Sequence, residues 1–289
     1  MKAGFVSIFG RPNAGKSTLL NALMGEKLAI VSSKVQTTRH RIKGILTEKD
    51  YQLIISDTPG IIEPKYKLHE KMMHAVKGAL EDADVALLLV DITENWEEVD
   101  EIFEALALMV PCIVVINKVD KANEEKKKSA ISFFGSKKYC KEVIGIAAIS
   151  KFQVPELLLL VLKYVKEAEP FFEGDDLSDL PTKFFVGELI RERIFQLYKE
   201  EIPYHTTVTI NEFKEKTTLI KISADIIVQR ETQKGILLGE GGKMIKQLGT
   251  EARIEIEKFL GQKVFLELFV KVKPKWRDND LMLREYGYH

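Results

Sequence analysis

The sequence predicts a doubly wound α/β unit with a mostly parallel sheet over residues 1–165, followed by a smaller α+β unit over 182–289. Three observations carry that expectation. In the first part, short continuous apolar runs alternate with amphipathic stretches, as buried strands and crossover helices require. Residues 166–181 (KEAEPFFEGDDLSDLP) then hold six acidic residues against one lysine, with Pro and Gly, and read as an exposed acidic linker. Beyond it the order changes to helix, two strands, two helices and a strand.

Taken in order, the runs 5–10, 52–56, 85–91, 112–117 and 143–148 are the expected strands of the first unit. Helical patterns lie between and after them at 16–25, 67–82, 97–108, 124–139 and 154–166. The second unit reads as a helix (184–200), strands (205–213 and 219–230), a helix (231–238), a Gly-rich turn (239–242), a helix (243–260) and a strand (264–273). Phe171 and Phe172 in the linker are expected to dock it onto a domain.

Composition narrows the class. Of 289 residues, 45% are hydrophobic, enough for packed cores and against wholesale disorder. Lys+Arg and Asp+Glu are both 43, which argues against a frankly basic nucleic-acid binder. That balance is an average. Residues 243–277 hold nine basic and four acidic side chains. Cys112 and Cys140 offer neither a disulfide framework nor metal-site spacing, so a reducing compartment is expected. The first residues lack the apolar run of a signal peptide, and no apolar run approaches the roughly 18 residues that span a bilayer. A soluble chain with at most peripheral membrane contact is expected.

Gly10-Arg-Pro-Asn-Ala-Gly15-Lys16-Ser17 follows a strand and opens a helix, the context of a phosphate-binding loop. Inward-pointing N–H groups at a helix N-terminus make a nest for phosphate oxygens, to which Gly10, Asn13, Ala14, Gly15 and Thr18 contribute. Lys16 would reach the β/γ-phosphates and Ser17 would ligate Mg²⁺. Asp57-Thr58-Pro59-Gly60 ends the next strand. Its carboxylate suits the Mg²⁺ shell, and the Gly60 N–H suits a γ-phosphate. Asn117-Lys118-Val-Asp120 ends another. The Asp120 carboxylate can accept from both guanine N1–H and the 2-amino group, a donor pair adenine lacks. Asn117 would brace the loop and the Lys118 stem would lie along the base. Three motifs in order at three strand ends point to GTP and GDP.

On these motifs the chain resembles a translation-factor-class GTPase, and Gln36-Thr37-Thr38-Arg39-His40-Arg41 resembles the first switch of the Era family. The later half agrees: its element order, with Gly239-Glu240-Gly241-Gly242 between helices, resembles a type II KH domain, as do LELFVKVKPKW (266–276) and LREYGY (283–288) the Era tail. The resemblance covers essentially the whole chain. It implies an α/β P-loop GTPase domain followed by a smaller α+β type II KH domain, slow GTP hydrolysis, and a role in ribosome biogenesis. The partners it implies are the small ribosomal subunit and the 3′ end of 16S ribosomal RNA, with a KH clamp holding about four nucleotides. It also implies that a switch threonine completes the Mg²⁺ shell, Thr38 being the first choice and Thr37 the fallback. Lys16, Thr38 and Gly60 are then the catalytic set, and Ser17, Thr38 and Asp57 the metal set. A cytoplasmic monomer is expected, with the inner face of the cell membrane as a candidate peripheral contact.

Several positions depart from the family pattern or bear on its rate. Ala147-Ala148 stands where most members have Ser-Ala. The Ala148 N–H remains for guanine O6, but Ala147 has no hydroxyl to buttress the loop, and Ser150 sits three residues late. Glu240 is acidic where the clamp faces phosphate, so RNA affinity must lean on Lys243, Lys246 and helix N–H groups. Ile61, after the second motif, cannot orient water as a glutamine does. That change is normal for the family. Asn13 matches a position that in some relatives helps to hold K⁺. One alternative keeps the fold and makes hydrolysis vestigial in a nucleotide-gated RNA-binding assembly factor. A tandem-G-domain relative is the other, and a single phosphate-binding loop counts against it. His40, His69, His74, His205 and His289 show no metal spacing, lysines 126–128 read as a wet face, and Met72, Met73, Phe133 and Phe134 as packing residues.

Overall fold

The computed structural model describes residues 1–174 and 176–288, so His289 and Asp175 lie outside the described residues. The chain divides into two compact units, one of Met1–Glu63 with Met72–Asp179 and one of Pro64–Lys71 with Leu180–His289. In chain order, the first half runs β1 (Lys2–Phe9), α1 (Lys16–Met24), β2 (Ile42–Thr47), β3 (Tyr51–Asp57), α2 (Lys67–Asp82), β4 (Val85–Asp91) and α3 (Trp96–Ala105). It continues with β5 (Cys112–Asn117), α4 (Glu124–Gly135), β6 (Cys140–Gly145) and α5 (Val154–Tyr164).

The six strands form one sheet in the order β2-β3-β1-β4-β5-β6, all neighbours parallel except β2 with β3. Every residue of β4 is buried, which explains its unbroken apolar run: helices cover both faces. One side of the core joins Phe9, Leu88, Val90, Val114 and Ile116 to Val99, Phe103 and Phe134. Since β1 lies between β3 and β4, connections leave it in both directions. The crevice of a doubly wound sheet opens at the carboxyl ends of such strands.

Three differences from the sequence expectation have physical reasons. The antiparallel edge strand β2 was not expected, because Lys43-Gly44 breaks its apolar pattern; pairing with β3 from Ile42↔Asp57 to Thr47↔Gln52 imposes the extended form. The last strand begins at Cys140 rather than 143 and ends at Gly145; Ile146–Ala148 is buried beyond it, with Ala148 opening a short 3-10 turn. The described residues of the expected linker up to Asp179 (166–174 and 176–179) are not free but belong to the first unit. The Ile45 N–H donates to Leu177 O (2.9 Å) and Ser178 Oγ to Lys43 O (2.6 Å), covering the exposed edge of β2. The Phe171 ring packs against Phe5 at a tilt, ring centroids 4.7 Å apart. Met72 and Phe134 are buried, Met73 and Phe133 pack at the core margin, and Lys126 and Lys128 are exposed.

The second unit contains α6 (Thr182–Leu197), β7 (Thr207–Glu215), β8 (Ile220–Val228), α7 (Glu231–Leu238), α8 (Lys243–Leu260), β9 (Val264–Val272) and a further short helix, α9 (Asp280–Glu285). Its sheet is ordered β7-β8-β9, antiparallel then parallel. Alternate residues Ile222, Ala224 and Ile226 meet Val186, Ile190 and Ile194 of α6 and Leu248, Ala252 and Ile256 of α8. Trp276 is fully buried, its indole N–H donating to His205 O (3.1 Å). Among the described residues no helix is long and apolar enough to cross a membrane, and no group of three or more His, Cys, Asp or Glu could hold a metal ion.

Buried Gln52 ties the acidic segment down. Its Oε1 accepts from the N–H groups of Phe171 (2.7 Å) and Phe172 (3.0 Å), while Nε2 donates to Phe172 O (2.9 Å). Gln52→Ala leaves these groups without partners, an expected loss of about 1–3 kcal/mol. Denaturant melting measures that loss, and faster chymotryptic cleavage after Phe171 or Phe172 reports the released segment.

Candidate functional site

The strand ends of the first unit converge on a cavity of about 370 Å³. Its lining includes Asn13, Gly15, Lys16, Ser17, Thr18, Thr37, Thr38, Gly60 and Lys118. The loop after β1 curls because Asn13 (φ 67°) and Gly15 (φ 103°) take left-handed conformations. A side chain at Gly15 would also place Cβ 2.3 Å from Asn117 Nδ2, so only glycine fits. Lys16 Nζ donates to the carbonyls of Gly10 (3.0 Å) and Arg11 (2.8 Å). Burial pushes its ammonium down to about 8, against the pull of Asp57 and Glu94.

Three oxygens from separate segments meet beside it. Ser17 Oγ donates to Asp57 Oδ2 (2.6 Å) and lies 2.7 Å from Thr38 Oγ1, which reaches the same carboxylate oxygen at 3.2 Å. The Thr37 hydroxyl instead donates to Lys34 O (2.7 Å). Burial raises the Asp57 carboxyl to about 6, opposed by Ser17, the Lys16 charge and Thr38. The other oxygen, Asp57 Oδ1, is buried without a hydrogen-bond partner. Two hydroxyls and a carboxylate with an unsatisfied buried oxygen form a hard-donor set that fits Mg²⁺.

Thr58 and Pro59 are buried away from the cavity lining, and the Thr58 hydroxyl donates to Ile8 O (2.6 Å). Ile61 returns to the phosphate-binding loop through its N–H on Gly10 O (3.1 Å). At the end of β5, Asn117 Nδ2 donates to Ala14 O (2.8 Å) and Asn117 Oδ1 accepts from the Ala148 N–H (3.0 Å). One amide thereby joins three loops. Asp120 is exposed at the same strand end. The Ala147 loop is closed by a two-bond bridge with Phe152 (3.2 and 3.1 Å) and by Ser150 Oγ donating to Ala147 O (3.3 Å). Ser150 thus closes its own turn on the Ala147 carbonyl and does not replace the hydroxyl missing at position 147.

In the second unit, Gly239 (φ 69°), Gly241 (φ 56°) and Gly242 (φ 76°) turn the chain between α7 and α8. A Cβ at Gly239 would lie 2.5 Å from Met244 Cγ, so that turn also needs glycine. Glu240, Lys243 and Lys246 are all exposed, and Gly242 caps an 18-residue helix whose first turn carries no acid. The turn, the helix N-terminus and two lysines suit a phosphate backbone.

Two family models match the chain: a 50S ribosome-binding GTPase over residues 5–118 and a KH domain over 201–277. The chain is also similar, at 40% identity over all of its length and 99% of the other, to a crystal structure of Era in complex with MgGDPNP and nucleotides 1506–1542 of 16S ribosomal RNA (TM-score 0.95). The chain belongs to the Era family. A substituted Aquifex aeolicus Era bound to GDP·AlF4⁻ matches equally, at 40% identity, the same coverage and a TM-score of 0.96.

Sequence reasoning placed the loops of this Era-family G domain and missed some of what holds them. Ser33, whose carbonyl takes the Asn13 side-chain amide (2.9 Å), carried no signal in a polar segment. Asp91, which pairs with Lys118 (2.5 Å), could have been found as the acid that ends a wholly apolar strand.

Asn117→Ala would strand the buried Ala148 N–H and free the Ala14 carbonyl. We expect a loss of about 2 kcal/mol or more in the stability of the nucleotide-free protein, measured by urea unfolding.

Proposed function

We propose that this Era-family chain binds GTP and GDP with Mg²⁺, hydrolyses GTP slowly, and binds the 3′ end of 16S ribosomal RNA during small-subunit assembly. The convergence of Ser17, Thr38 and Asp57 beside Lys16 carries the nucleotide half of this reading. The glycine turn with Lys243 and Lys246, in a chain 40% identical to an Era crystallised with that RNA region, carries the other half.

Ser17, Thr38 and Asp57 would hold Mg²⁺, which when bound supplies positive charge to the β- and γ-phosphate oxygens. Lys16 exchanges its two backbone carbonyls for phosphate oxygens, and a ligand of that charge restores its proton affinity. The Gly60 N–H donates to the γ-phosphate, and the loss of that contact on hydrolysis releases the segment that follows. Ile61 packs partly against the core and offers no hydrogen bond to water, which supports a slow rate. Asp120 reads the guanine edge; the Ala148 N–H, expected to reach guanine O6, is instead held by Asn117 Oδ1 and braces the loop. Glu240 opposes RNA phosphate, so the clamp favours shape-dependent single-strand binding over indiscriminate affinity. Asn13, beside the Ser33 carbonyl, is the candidate K⁺ position; equal hydrolysis rates in K⁺ and Na⁺ buffers would remove it. We place the protein in the cytoplasm as a monomer, with peripheral contact at the inner membrane face to be tested by fractionation.

Ile61 and Ala147 favour a second reading, a nucleotide-gated RNA-binding factor whose hydrolysis is vestigial. A single-turnover assay with saturating small subunits separates the two: stimulated cleavage supports the first, none the second. Thr38→Ala is expected to weaken Mg²⁺-dependent binding of a GTP analogue by roughly tenfold, the order of one charge-assisted contact, while GDP affinity stays within about twofold. Thr37→Ala should leave both nearly unchanged. Equal effects of the two substitutions in isothermal titration would overturn the assignment of Thr38.

A further inference from the structure

The turn after β4 holds Lys118 in a manner none of the sequence motifs specifies. Asp91 is the last residue of β4 and the cross-strand partner of Asn117. It is 8% exposed, and its Oδ2 receives Lys118 Nζ at 2.5 Å. Its other oxygen, Oδ1, is fixed by the Thr93 N–H (2.9 Å) and hydroxyl (2.8 Å). The same Lys118 ammonium donates to the Asn13 carbonyl at 2.8 Å, so it bridges the turn to the phosphate-binding loop. Backbone contacts keep the turn in register: the Ile92 N–H donates to Asn117 O (3.1 Å) and the Glu94 N–H to Asp91 O (2.9 Å).

Lys118 needs such an anchor for two reasons. Its backbone sits at φ 61°, a conformation that a non-glycine residue holds only when its surroundings impose it. Its long stem is also half-exposed and rich in rotamers, so an ammonium bonded to one carbonyl alone would sample several positions. A carboxylate that is itself locked by Thr93 selects one of them. With the head group held between Asp91 and Asn13, the aliphatic stem is confined in advance to one path between the turn and the phosphate-binding loop.

We propose that Asp91, oriented by Thr93, is a positioning residue for guanine nucleotide binding that acts through Lys118. The proposal rests on the guanine-nucleotide reading above. Because Lys118 contacts the face of the base, Asp91 sets how tightly a purine nucleotide is held, whereas Asp120 sets which purine is accepted.

The test is a double-mutant cycle on the full-length protein, read as the dissociation rate of fluorescent GDP. Asp91→Ala is expected to speed release about tenfold, the order of a lost charged hydrogen bond. In a Lys118→Ala background the same substitution should change the rate less than about twofold. Thr93→Ala, which leaves every charge in place, should speed release by about two- to threefold and likewise lose its effect without Lys118. Asp91→Ala should weaken GDP and inosine diphosphate by the same factor, while Asp120→Ala erases the preference between them. A tenfold effect of Asp91→Ala that persists without Lys118 would overturn the proposal, as would a change in the ratio of GDP to inosine diphosphate affinity. If Asp91→Ala lowers thermal stability, Thr93→Ala alone decides, and no change in release for that variant counts against the proposal. A wild-type protein that holds ADP as tightly as GDP would overturn the guanine reading and this one together.

Discussion

The nucleotide site depends on the side chain of Asn117. Its amide donates to Ala14 O and accepts from the Ala148 N–H, so loops that begin at three different strand ends are held at fixed spacing. Both contacts are buried, where an unmade hydrogen bond costs more than a made one contributes. Gly15 follows from the same constraint, because any Cβ there would occupy the space of the Asn117 amide. The curl of the phosphate-binding loop, the direction of the helix behind it and the placement of Ser17 then follow in turn. The parallel sheet supplies the frame: its parallel strands all end on one edge, and β2, antiparallel to β3, lies at the far side from β5 and β6.

Electrostatics divides the labour between the units. In the first, charges are gathered and buried: Lys16 and Asp57 each lose much of their hydration, and each is poised for a partner of opposite sign. In the second, the chain from Lys243 to Arg277 carries an excess of basic residues on a protein with no net charge. That arrangement favours contact with a phosphate backbone at one place and limits adhesion elsewhere. Glu240 at the tip of the turn sharpens the same tendency.

Much of this was legible in the sequence, and for identifiable reasons. Strands β4 and β5 are apolar throughout because both faces are covered, and their ends coincide with chemically unusual residues. Asn117, Lys118 and Asp120 stood out because guanine recognition asks for those groups at that spacing, and the structure places them together at the end of β5. The GxxxxGKS pattern was readable because so few residue types can form a phosphate nest. Contacts made across long sequence distance were not legible. Strand β2 exists because β3 pairs with it and the 177–178 segment covers its other edge, and neither condition is written in IKGILT. The acidic segment looked like a linker because its composition is polar, yet Gln52, more than a hundred residues earlier, binds it to the first unit. The choice between Thr37 and Thr38 rested on which hydroxyl the loop turns inward, a matter of backbone geometry that adjacent identical residues cannot reveal.

The central claim is that one chain joins a guanine-nucleotide switch to a clamp for the 3′ end of small-subunit ribosomal RNA. The most direct measurement is crosslinking of the purified protein to total cellular RNA with GDP or with a non-hydrolysable GTP analogue, followed by sequencing of the crosslinked fragments. The account predicts fragments concentrated at the 3′ end of 16S ribosomal RNA, with a yield that differs between the two nucleotides. Crosslinks spread over all RNA, or a yield indifferent to nucleotide, would contradict it.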